Sequence, residues 1–109
     1  MSTNESSTDG FTTDTGPFSI IPEWLLDSHI SDKAVRLYGT ISRYADSTGY
    51  SWPSRRTLAK RMNRSVVSLD AAMKELVDNG VVEVTPRFTK DGDRDTNGYH
   101  IRRTKPKKL

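Results

Sequence analysis

Two short amphipathic segments lie end to end around the stretch "MNRSVVSLDAAMKEL" (62–76), and the turn between them constrains the fold more than any other feature. Ser54 stands where a helix wants a side-chain acceptor for its first free amides, and Leu58, Ala59 and Met62 then share one face, which predicts a helix over 55–62. Asn63 follows at the point where the chain must turn sharply, and asparagine tolerates the left-handed backbone better than most residues. Ser65 caps a second segment whose apolar stripe is Val66, Leu69, Ala72, Met73 and Leu76, so a helix is expected over 66–79. Asn79-Gly80 ends it in the manner of a glycine just past the helix terminus. Neither helix is long enough to stand alone, so both faces require a third element to pack against.

The flanking sequence supplies it. Ser31 caps "DKAVRLYGTISRYAD", with Asp32 in the first turn and apolar residues at Ala34, Leu37, Tyr38, Ile41, Tyr44 and Ala45, a one-faced helix over 32–46. Before it, "FSIIPEWLLDS" places Pro22 in the first turn of a short helix. "YSWP" is extended, because the residue before Pro53 is pushed out of the helical region. After the third long helix, "VVEVTPRF" (81–88) and "YHIRR" (99–103) read as two strands joined by the polar loop "TKDGDRDTNG", a β-hairpin. The expected fold is α+β, a winged helix-turn-helix with a helical core and a C-terminal β-hairpin wing. Trp24, Trp52, Tyr38, Tyr44 and Tyr50 fall at core-like positions and are read as packing groups.

Apolar residues make up only 33% of the 109, below the usual share, and the ends account for the deficit. Residues 1–17 are Ser, Thr, Asp and Gly with a single aromatic and are expected to form a flexible arm. Residues 18–103 form the domain, and 104–109 a basic tail. With no cysteine, disulfides, thiol nucleophiles and cysteine-bound zinc are excluded. No apolar run approaches the roughly 18 residues of a membrane span, and the N-terminus lacks a signal-peptide pattern; a soluble, cytoplasmic protein is expected. The net charge of +3 divides unevenly. Residues 1–50 hold three Lys/Arg against seven Asp/Glu, and residues 51–109 hold fourteen against seven. The positive field therefore coincides with the two-helix motif, as for a surface that faces a polyanion.

The run "FSIIPEWLLDSHISDKAVRLYGTISRYADSTGYSWPSRRTLAKRMNRSVVSLDAAMKELVDNGVVEV" resembles the winged helix-turn-helix domain common in bacterial phage and plasmid proteins, including plasmid replication initiators. The resemblance rests on "IPEWLL", on "WPS" before "TLAKRM", on "KELVDNGVV" and on a closing "NGYHI", and covers about residues 18–103. It implies a domain that binds double-stranded DNA in a bacterial cell, close to the nucleoid. It further implies a homodimer or higher assembly on DNA, with segment 18–30 as the expected dimer element.

Candidate DNA contacts follow from position and chemistry. Ser54, Arg55 and Arg56 at a helix N-terminus suit a phosphate. Arg64, before the next cap, adds charge, as do Lys60 and Arg61. On the expected recognition helix the outward residues are Ser65, Val67, Ser68, Asp70, Ala71, Lys74 and Asp78. Ser68 can bond any base, while Val67 and Ala71 can touch only thymine methyls. Asp70 can accept from cytosine but is repelled by phosphate, and one turn before Lys74 it is read alternatively as an i, i+4 ion pair. In the wing and beyond, Lys90, Arg94, Arg102 and Arg103 are candidate backbone or minor-groove contacts, and "RRTKPKKL" is read as a flexible basic tail. Asp91, Asp93 and Asp95 have the alternate spacing of a calcium loop, but Thr96 and Arg102 replace its glycine and glutamate. His29 and His100 lack any partner spacing and no phosphate-binding glycine loop is present. No enzymatic activity, cofactor, metal or small-molecule ligand is expected. Three functions remain open: a transcriptional regulator, a segregation or replication factor assembling on repeated sites, and a protein-binding adaptor that reuses the fold.

Overall fold

A computed structural model describes residues 17–92 and 95–109. The arm expected over 1–17 lies outside the described residues except for Pro17, as do Asp93 and Arg94. The elements in chain order are α1 (Glu23–Leu26), α2 (Asp32–Ser42), β1 (Tyr50–Ser51), α3 (Arg55–Met62), α4 (Val66–Asp78), β2 (Val82–Thr85) and β3 (Gly98–Ile101). No helix of the described residues is long and apolar enough to cross a membrane.

The three long helices begin where serine can cap them. Ser31, Ser54 and Ser65 each accept a bond from the backbone N–H three residues on, at Ala34, Thr57 and Ser68. Asn63 adopts the left-handed conformation, φ 60° and ψ 41°, between α3 and α4. At the far end of α4, Gly80 has φ 76°. Its N–H donates to the Val77 carbonyl and that of Val81 to Leu76, the paired closure that a glycine past a helix end allows.

Helix α2 stops at Ser42 rather than at 46. Beyond it Tyr44 and Ala45 donate to carbonyls three residues back. The Asp46 carboxylate then takes the amides of Thr48 and Tyr50 and the Thr48 hydroxyl, a local turn that competes with the helix. That turn launches β1, so the expected two-stranded hairpin is part of a three-stranded antiparallel sheet in the order β1-β3-β2. Tyr50 faces His100 across one ladder and Val82 faces Ile101 across the other. Gly49, at φ 93°, lets the chain pass close to β3: an added Cβ would sit 2.9 Å from the Ile101 carbonyl oxygen. Strand β2 ends at Thr85 because Pro86 has no N–H to give.

The core lies where α2 crosses α3 and α4 and the sheet closes beneath them. Leu25, Leu37, Tyr38, Ile41, Leu58, Met62, Leu69, Leu76, Val81, Tyr99 and Ile101 are all at most 2% exposed. Glu75 of α4 accepts bonds from both the amide and the hydroxyl of Ser31 at 2.8 and 2.6 Å, fastening α4 to the start of α2. The Ser31 hydroxyl bond holds the Glu75 carboxyl below its ordinary pKa.

Two expectations are corrected. Of the aromatic residues placed in the core, Tyr38 is buried and Trp24 partly so, but Tyr44, Tyr50 and Trp52 are exposed. Tyr50 and Trp52 alternate outward on the solvent side of β1, where Tyr50 stacks on His100 at 4.3 Å between ring centroids. The C-terminal segment does not run free either. Trp24 donates its indole N–H to the Arg103 carbonyl at 2.9 Å and Tyr38 its hydroxyl to that of Arg102 at 2.7 Å. Pro106 is buried and Leu109 packs on the core. Both apolar residues act as anchors among lysines that remain in solvent.

Candidate nucleic-acid interface

The outer face of α4 carries Val67, Asp70, Ala71 and Lys74, all exposed, with Val67 the extreme at 80%. Ser65 at its cap is exposed and Ser68 is half-buried. On one side this face meets the N-terminus of α3 and the base of the wing. Two adjoining clefts mark the junction. One, of about 510 Å³, is lined by Ser54, Arg55, Arg56, Asp95, Thr96, Asn97 and Tyr99. The other, of about 290 Å³, runs along α4 past Asp70, Met73, Lys74 and Val77, and Arg55 borders both.

Arg55 is not a free cation. Its Nε donates to one oxygen of Asp70 at 2.9 Å and its Nη2 to the other at 2.5 Å, the side-on fork that a planar guanidinium and a carboxylate share. Those bonds and the Asp70 charge hold the Arg55 pKa above its ordinary value. The expected Asp70–Lys74 pair is thereby corrected. Asp70 takes the two-pronged partner from α3 instead of a single point charge on its own helix, and Lys74 bonds Asp78 at 2.7 Å. Ser54, proposed for a phosphate, is also engaged. Its hydroxyl accepts from the Thr57 amide and donates to the Thr57 hydroxyl at 2.8 Å.

Of the remaining basic candidates, only Arg56 shares the first cleft with Arg55, and the others lie away from this junction. Arg56 is exposed beside Arg55. Arg64 lines a recess on the other flank with Leu26, Ile30, Lys33 and Arg36. Lys60 is exposed, while Arg61 turns back to Tyr44, donating to its hydroxyl at 2.9 Å. Arg102 and Arg103 border a recess beside His100 and Thr48, far along β3 from the wing tip. Lys90 is exposed near that tip, next to Gly92 at φ 87°. Arg94 lies outside the described residues.

The sequence reading missed the brace at the base of the wing. Arg87 lies over Trp52, 5.5 Å from the ring centroid, bonds the Thr96 hydroxyl at 3.2 Å and pairs with Asp95 at 3.8 Å. Thr96 in turn donates to the Trp52 carbonyl. The wing loop is thus tied to β1, an element the two-stranded expectation lacked. The only hint in the sequence was the outward alternation of Tyr50 and Trp52. Nothing local hinted at Arg55–Asp70, whose partners lie fifteen residues apart on different helices. Among the described residues no group of three or more His, Asp or Glu side chains could hold a metal.

Three helices with a helix-turn-helix at α3–α4, closed by a three-stranded sheet in the order β1-β3-β2, define a winged helix-turn-helix, the DNA-binding class of this architecture. A family model described as "Helix-turn-helix domain" matches residues 28–82, just over half of the chain, and the protein belongs to that family. Among solved structures, the fold is similar to a possible transcriptional regulator from Methanosarcina mazei Go1, with a TM-score of 0.51 and 14% identity. That match covers 66% of this chain, which spans 56% of the other's length; at such identity it speaks for the fold alone. No curated protein matches the chain significantly.

Proposed function

We propose that the protein is a transcriptional regulator of the phage or plasmid type that sets α4 in the major groove of duplex DNA. The observation that carries this reading is the exposed row Val67, Ala71 and Lys74 on α4, beside the start of α3 and the base of the wing. Arg56 and the amides at the start of α3 lie toward one phosphate strand, Arg64 and Ser65 flank the other, and Lys90 of the wing lies along the neighbouring backbone or minor groove; Arg94, outside the described residues, is kept as a candidate contact by its charge alone. Ser68, Val67 and Ala71 face base edges, the last two as methyl contacts. Arg102 and Arg103 add attraction at longer range.

Self-association on DNA through segment 18–30 is part of the proposal. It is supported by exposed apolar side chains there, Ile20 at 62% and Leu26 at 56%. Sedimentation of the free and DNA-bound protein tests it, and a strict monomer in both removes it. A segregation or replication role would use the same surface on repeated sites, and a footprint extending as a regular array, instead of one palindrome, selects it. The adaptor reading rests on the exposure of Val67; failure to bind mixed duplex DNA at low salt would favour it over the regulator.

A further inference from the structure

α4 itself presents no planar guanidinium or carboxamide fork to a base: Val67, Ser68, Asp70 and Ala71 carry none, and the Lys74 ammonium is bonded to Asp78. Yet the groove face of α4 carries a guanidinium, delivered from α3. Arg55 is bound side-on by Asp70 through Nε and Nη2, and both side chains remain about half exposed, 52% and 48%. Two of the five guanidinium N–H donors are used there. The side-on pairing leaves the end-on edge formed by Nη1 and Nη2, with two parallel donors, outside the bonds to Asp70 on a half-exposed side chain.

We propose that Arg55, braced by Asp70, is the two-pronged base reader of this surface, beside the single contacts of Ser68, Val67 and Ala71, and recognises guanine, with Nη1 and Nη2 toward O6 and N7. This assignment rests on the duplex-binding reading above and deepens it. Charge separates it from the alternative of a phosphate contact. The Arg55–Asp70 pair is neutral as a unit, so it has little pull on a phosphate, and a phosphate at Arg55 would lie beside an exposed carboxylate. The major-groove edge of guanine is a pair of uncharged acceptors and meets no such repulsion, while a guanidinium fork is the partner whose geometry fits it. The brace also fixes a side chain that would otherwise lose rotamer freedom on binding, which favours a directional contact over a diffuse one.

The test is selection from a pool of randomised duplexes, with sequencing of the bound fraction, for the wild type, Arg55→Lys, Arg55→Ala and Asp70→Ala, together with salt slopes on a mixed duplex. Both substituted residues are exposed, and thermal unfolding confirms that each variant is folded. The wild type is expected to prefer guanine at one position by roughly 10-fold or more. Arg55→Lys should abolish that preference alone and keep the salt slope. Asp70→Ala should reduce the preference while binding to the mixed duplex holds or rises, because a repulsive charge is removed. The assignment is overturned if Arg55→Lys keeps every base preference, or if Arg55→Ala weakens all sequences equally and flattens the slope by about one. A wild type that binds no duplex even at low salt overturns the duplex reading itself and this assignment with it, an outcome distinct from either.

Discussion

Asn63 holds the angle between α3 and α4 with a single left-handed residue, and the start of α4 can reach a groove only if that angle is kept. A β-branched side chain is strained at φ 60°, so Asn63→Val should lower stability by about 1–2 kcal/mol, whereas Asn63→Gly should change it by less than about 0.5 kcal/mol; urea unfolding reads both. Val67 is the contrasting residue. At 80% exposure it supports no packing, so Val67→Ala should leave unfolding within about 0.5 kcal/mol of the parent. Any change it makes must then appear in what the face binds. A loss of stability would place Val67 in a contact that the fold does not have.

At the scale of elements, two fastenings decide how rigidly the groove face is presented. Glu75 joins α4 to the first turn of α2, and its carboxyl is held below the ordinary value of 4.5 chiefly by the Ser31 hydroxyl. Because the folded pKa is the lower one, the stabilisation is present above the ordinary glutamate range and is lost as pH falls through the lowered value. Glu75→Gln should therefore be less stable than the parent at neutral pH, and the gap should narrow on acidification below the ordinary glutamate range; parallel thermal melts over pH check this. The second fastening is Arg87 over Trp52 with Thr96. Removing it by Arg87→Ala should speed amide hydrogen exchange in residues 86–97 and leave α2 and α4 protected. Equal speeding throughout would show that the wing is not held separately.

Across the whole molecule, what was legible in the sequence was whatever is encoded locally. Serine caps, the tolerant asparagine, the glycine at the end of α4 and one-faced stripes gave α3 with both ends correct and α4 to within one residue. Contacts between distant segments left no such mark. Strand β1 is two residues long and is a strand only because β3 lies beside it. Pro106 and Leu109 read as part of a lysine-rich tail, yet find apolar ground beside Gly80 and the core. In the candidate site, the basic residues are read by type alone, and Arg55 changes meaning once Asp70 is placed against it. With that pair neutral, the proposed binding mode leaves Arg56, Arg64 and the wing as the cations to neutralise phosphate. The most direct measurement is a titration of mixed duplex DNA across a salt series by fluorescence anisotropy, comparing the parent with Arg56→Ala. The account predicts that log K falls against log salt with a slope of about −3 or steeper, from at least three phosphate contacts, and that Arg56→Ala flattens it by about 0.9. Absence of binding at low salt, or a slope near zero in the parent, would contradict it.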